Sequence, residues 1–156
     1  MLAIAAALAL AATATVNLDK VLAKPTTKVR SQTKLSILLP KSMPLADAST
    51  KLYGSGSGSR DGYTFRLTTT RTCEANYCFA ASFRAERGTQ KLPGGTRIQL
   101  AKGRKGTYWK LSCGASCAPA VLTWTERGAT YTIEAMVTER AGMKAMADAA
   151  IKRGPR

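Results

Sequence analysis

Alternation of apolar and polar side chains is clearest in the middle of the chain. In GYTFRLTTT, Tyr63, Phe65 and Leu67 fall on one face and Thr64, Arg66 and Thr68 on the other. In YCFAASFRA, Tyr77, Phe79, Ala81, Phe83 and Ala85 share a face against Cys78, Ala80, Ser82 and Arg84. Period-two patterns of this kind predict half-buried antiparallel strands. RIQL adds Ile98 and Leu100 to a face, KGRKG turns the chain, and TYWKL returns. With Arg127-Gly128 as the central turn of the last hairpin, Trp124 falls opposite Tyr131, Leu122 opposite Ile133 and Ala120 opposite Ala135.

The period then changes. Met143, Met146, Ala147, Ala150 and Ile151 recur at helical spacing, with Thr138 placed to cap, Glu139 in the first turn and Gly154-Pro155 to stop. The fold expected is α+β: an antiparallel sheet of roughly five to seven strands with one C-terminal amphipathic helix packed on it.

Upstream of the sheet the pattern is weaker. LSILLP, residues 35–40, reads as a buried strand or strand-like lead-in closed by a proline, and Pro44 opens a turn of helix through Ala48. Lys51-Leu52-Tyr53 reads as a brief extended piece. GSGSGSRDG, residues 54–62, reads as a mobile loop, and it lacks the Gly-Lys-Ser/Thr ending of a phosphate-binding loop. Residues 15–34 are polar and basic, contain Pro25, and are expected to form a disordered tether ahead of a single domain at 35–156.

Residues 1–18, MLAIAAALALAATATVNL, carry no charged side chain. The apolar run has the length of a signal h-region and Ala12-Thr13-Ala14 the small-x-small pattern of a cleavage site, so residues 1–14 are read as a signal peptide. An uncleaved anchor and a buried N-terminal helix are the other readings; the basic n-region of a signal is missing. A secreted or periplasmic address in a bacterial cell envelope follows from the first.

Lys and Arg number 24 against 9 Asp and Glu, a formal charge of +15. A field of that sign draws a protein toward polyanions. With a secretory address the partners expected are an anionic envelope polymer, an anionic lipid surface or an envelope protein, and the address argues against nucleic acid. Most cations are scattered, as a solvated surface would have them. Lys102, Arg104 and Lys105 cluster, next to Tyr108 and Trp109, and these five are the candidate ligand contacts.

Histidine is absent, which removes the commonest general base, and the 9 acids show no paired pattern. No catalytic residue, metal site or cofactor is assigned. A Ser–Lys dyad or a carboxylate pair stays open to a hydrolase, and the GSGSGS stretch or a free sheet edge to a structural or inhibitory interaction domain.

The four cysteines occur as CEANYC, residues 73–78, and CGASC, residues 113–117. Behind a signal peptide they read first as disulfides; zinc is compatible with the spacing, whereas neither pair is the C-x-x-C of a redox site. Of the three connectivities the local bridges Cys73–Cys78 and Cys113–Cys117 are the economical one, although loops so short stabilise by only about 2 kcal/mol each. Cys73 directly opposite Cys78 would pair Phe65 with Glu86, apolar face against polar, so a β-bulge or a loop position for Cys78 is required. Cys113 opposite Cys117 puts Tyr108 across from Leu122 and Trp109 across from Val121. Trp109 then points away from the main core, either exposed or in a smaller core beneath a loop.

The pieces LP at 39–40, LYG at 52–54, CEANYCFAASF, CGASCAP followed by LTW, and RGATYTIEA resemble a family of small secreted bacterial proteins of unassigned function. The resemblance implies a secreted, disulfide-bearing sheet-plus-helix domain and carries no activity or catalytic residues.

Overall fold

The computed structural model of the chain describes residues 14–156. Its strands are β1 (Thr15–Asn17), β2 (Ser42–Pro44), β3 (Tyr53–Ser59), β4 (Gly62–Thr68), β5 (Phe79–Arg87), β6 (Thr96–Gln99), β7 (Lys105–Trp109), β8 (Ser112–Cys113), β9 (Cys117–Ala118), β10 (Ala120–Glu126) and β11 (Ala129–Ala135). The helices are α1 (Leu18–Val21), α2 (Ala23–Gln32) and α3 (Arg140–Arg153). A 7-stranded antiparallel sheet in the order β3-β4-β5-β11-β10-β7-β6 is the centre of the fold. The architecture is the expected α+β.

One face of the sheet is the core. Tyr63, Phe65, Leu67, Phe83, Leu122, Trp124, Tyr131 and Ile133 are buried on it, covered by α3 and by the irregular, buried Ile37–Leu39 stretch. The last hairpin has the register read from the sequence, Trp124 to Tyr131, Leu122 to Ile133 and Ala120 to Ala135. Met143, Met146, Ala147, Ala150 and Ile151 are the buried face of α3. Thr138 does not cap that helix. Glu139 is the N-cap residue and its side chain makes no capping bond.

The first cysteine pair resolves its register conflict with a bulge. Phe65 pairs with Phe83 and Leu67 with Ala81, and the register slips so that Thr68 meets Phe79. The slip leaves Cys78 in a 3-10 turn at Asn76–Cys78, outside the ladder. Both disulfides are the local ones, Cys73–Cys78 and Cys113–Cys117, and no cysteine is free. Disulfides are compatible with an extracellular or periplasmic location.

Three upstream expectations are corrected. Residues 15–34 are ordered: β1 pairs with β2, and α1 and α2 bury Leu18, Leu22, Thr26 and Val29. Pro25 does not prevent this, because it sits in the first turn of α2, where backbone N–H groups have no intrahelical acceptor. The domain therefore begins before residue 35, and α3 is not its only helix. Pro44 ends a strand, and Asp47 holds a turn by accepting from Ser49 N at 2.8 Å.

The third correction is GSGSGS, which is the edge strand β3 and not a loop. Its glycines alternate onto the face under α2. A Cβ on Gly54 would lie 2.7 Å from both Leu22 Cδ2 and Val21 O, and one on Gly56 3.0 Å from Val29 Cγ2. Glycine at every second position is what lets α2 lie close on this strand. Gln32 of α2 also caps the edge, accepting from Gly58 N at 3.0 Å.

Residues 1–13 of the expected signal peptide lie outside the described residues. No helix among the described residues is long and apolar enough to cross a membrane.

Candidate functional site

The second face of the sheet carries no helix. Strand alternation puts Thr64, Arg66, Ser82, Arg84, Thr132, Glu134, Thr123, Thr125, Thr107 and Trp109 on it. It is a polar, hydroxyl-rich surface. What covers part of it is the chain itself, since β5 lies between β4 and β11 while β6, next in sequence, is the far edge strand.

The connecting residues 88–95 therefore cross the open face as a strap. Thr130 on β11 pins its start, donating from Oγ1 to Gly88 O at 2.8 Å and accepting from Gln90 N at 3.0 Å. Trp109 on β7 pins its end, with Nε1 donating to Pro93 O at 3.0 Å. Gly95 has φ +81, and a Cβ there would come within 2.6 Å of the Trp109 ring and of Thr107. Only glycine allows the strap to rest on the indole in this way.

Between strap and sheet lies a groove of about 730 Å³. Lys91 from the strap, Arg97 from β6 and Lys105 from β7 bring three cations to it, beside Trp109 and the hydroxyls of Thr107, Thr123 and Thr125. No acidic side chain lines it. Among the described residues none of these three cations forms an ion pair. An anion entering the groove meets uncompensated positive charge, a flat aromatic surface and donors able to bond hydroxyl or carboxylate oxygens.

The five residues singled out in the sequence divide. Lys105 and Trp109 belong to the groove, and Trp109 pairs with Val121 as the register required. The choice between an exposed ring and a small core beneath a loop resolves into both, since the ring is part-covered by the strap and part of the groove wall. Tyr108 is not available as a contact: it is 7% exposed on the core face, opposite Leu122. Burial foremost, with Glu139 nearby, raises the pKa of its hydroxyl above the ordinary tyrosine value. Arg104 turns away from the groove and is neutralised by Glu126 at 2.6 Å, while its Nη1 donates to Lys102 O at 2.9 Å. Lys102 is exposed, in the left-handed region at φ 53, and does not line the groove.

Lys91 and Arg97 were missed. Arg97 was within reach, since the alternation that buries Ile98 turns Arg97 to the face of Thr107. Lys91 reaches the groove only because the strap crosses the sheet, and no local pattern encodes that path.

For metal and acid chemistry, the cysteines are consumed as disulfides and the described residues bring together no group of three or more His, Cys, Asp or Glu. Several carboxylates are held in separate ion pairs, including Asp61 with Arg87, Glu134 with Arg84 and Asp148 with Lys144. Compared with known proteins, the chain matches no family model, no curated protein and no solved structure.

Proposed function

We propose that the protein is a non-catalytic binding module of the bacterial cell envelope that holds an anionic polysaccharide in the groove beneath the strap. The observation that carries this reading is the composition of the groove: Lys91, Arg97 and Lys105 unpaired, Trp109 as a ring surface, threonine hydroxyls between them and no acid. Sugar rings bearing carboxylates present the complementary set, apolar C–H faces with hydroxyls and negative charge at the rim. A free lipid headgroup would use the charge but neither the ring nor the row of hydroxyls.

The polar outer face supports this reading over an interaction domain that docks through an apolar patch; docking through a sheet edge, β3 or β6, is the second reading. The exposed large hydrophobic residues among those described are Tyr77 and Leu92, and they are isolated. The secreted address rests on the N-terminal apolar stretch, the disulfides and the resemblance to secreted bacterial proteins. Disulfide-stapled domains that work outside the reducing cytosol fit that setting.

Affinity electrophoresis through polygalacturonate, with neutral dextran as control, tests the assignment. Retardation is expected in polygalacturonate alone and should weaken as salt rises from 50 to 300 mM, values at which screening of exposed charge becomes substantial, the Debye length being about 10 Å near 100 mM. The variant Lys91→Ser/Arg97→Ser/Lys105→Ser should bind about tenfold more weakly, equal to roughly 1.4 kcal/mol over three contacts. Lys20→Ser/Lys24→Ser/Lys28→Ser removes the same charge from the α1–α2 region and should bind as the parent does. Equal loss in the two variants would mean a diffuse field and no site.

A further inference from the structure

At the other end of the open face is a smaller pocket, of about 300 Å³, that shares no residue with the groove. Both disulfide clips reach it. Asn76, inside the loop closed by Cys73–Cys78, forms one wall, and Cys117 of the second clip forms another. Arg66 of β4 enters from the sheet. Its guanidinium lies over the Phe79 ring, 5.2 Å from the centroid, and its Nε is buried with no hydrogen-bond partner.

An unpartnered buried N–H is costly, and in a native protein it calls for a partner. The nearby acid does not supply one: Glu134 accepts from Ser82 Oγ at 3.0 Å and pairs with Arg84 at 3.2 Å. A guanidinium over a ring and, among the described residues, outside any ion pair has its forked donors for a planar anion. Phe79, Pro119 and Met136 add apolar surface, so the occupant has an apolar body as well as a charge. Glu134, which also lines the pocket, disfavours a second negative charge and so favours a monoanion.

We infer that this pocket binds a small monocarboxylate with a compact apolar or aromatic body, its carboxylate on Arg66 and its body against Phe79 and Met136. The two disulfides shape the walls, so the site exists only in the oxidised protein. Its binding is independent of the groove.

The test is an NMR titration of the intact, oxidised protein with benzoate, following the Arg66 Nε–Hε resonance. A saturable downfield shift at millimolar benzoate is expected, with inorganic phosphate and benzylamine at equal concentration leaving it in place. A short peptide ending in a free phenylalanine carboxylate, against its amide, separates the two sources of the same chemistry: a small free acid shifts the resonance where the peptide acid does not, whereas a chain terminus requires the peptide acid to shift it too. Arg66→Gln should reduce benzoate affinity at least about tenfold, read from the Asn76 side-chain amide, with the groove resonances unchanged. Should that variant fail to fold, Asn76→Ala, on an exposed turn, should weaken binding several-fold with Arg66 still reporting. An immobile Arg66 resonance, or an equal response to benzylamine or phosphate, overturns the inference.

Discussion

Arg104 and Lys105 are adjacent in the chain, yet the guanidinium is neutralised by Glu126 while the ammonium is free on the open face. Arg104 closes the turn before β7 and Lys105 opens the strand, where alternation then makes Tyr108 core and Trp109 groove. A run of basic residues is thus legible as charge but not as a site until the register is applied to each member. Partners distant in sequence are hidden altogether, as at Asp19. Arg153 donates to both its oxygens, at 2.8 and 2.9 Å, and Arg156 joins them, tying α1 to the end of α3. The hydrogen bonds from Arg153 lower the Asp19 pKa below its ordinary value of 3.8, although partial burial opposes them. A depressed carboxyl pKa stabilises fully above the ordinary value and loses its contribution as pH falls through the folded one. Asp19→Asn should therefore cost about 1–3 kcal/mol at pH 7 and flatten the acid side of the stability profile below about pH 4, as urea unfolding across pH would record. An unchanged profile would mean that Asp19 carries no proton-linked stability.

At the scale of elements, what the sequence disclosed depended on how far apart the partners lie. The β10–β11 hairpin and α3 were readable because their apolar periods are local and unbroken. The N-terminal helices carried a helical stripe as well, Leu18, Leu22, Thr26 and Val29, but a proline and a polar composition obscured it. GSGSGS misled for the reverse reason, since its composition is that of a linker and only its period of two marks a strand. Close packing under α2 requires the glycines, whereas the serines face outward. Gly54→Val should destabilise by about 1–3 kcal/mol through overpacking, and Ser57→Val, exposed on the other side of the same strand, by less than about 0.5 kcal/mol. Thermal or denaturant unfolding of the pair decides this, and equal effects would contradict the account of the strand.

The whole molecule is a sheet with one face closed by α2, α3 and the Ile37–Leu39 stretch and the other left polar, crossed by a strap and clipped by disulfides at its end. Composition announced the charge, and the cysteine spacing announced the clips. Neither showed that the charge concentrates where the strap passes over Trp109, because that path depends on β6 pairing at the far edge of the sheet. Trp109 lines the groove with its Nε1 bonded to Pro93 O, while Trp124, which also borders the groove, is almost wholly buried in the core. An NMR titration with polygalacturonate fragments, following the Trp109 indole Nε1–H resonance, tests the central claim most directly. The Trp109 resonance should shift and saturate, and the response should vanish in Lys91→Ser/Arg97→Ser/Lys105→Ser. A silent Trp109, or a shift that survives in that variant, would contradict a ligand site in the groove.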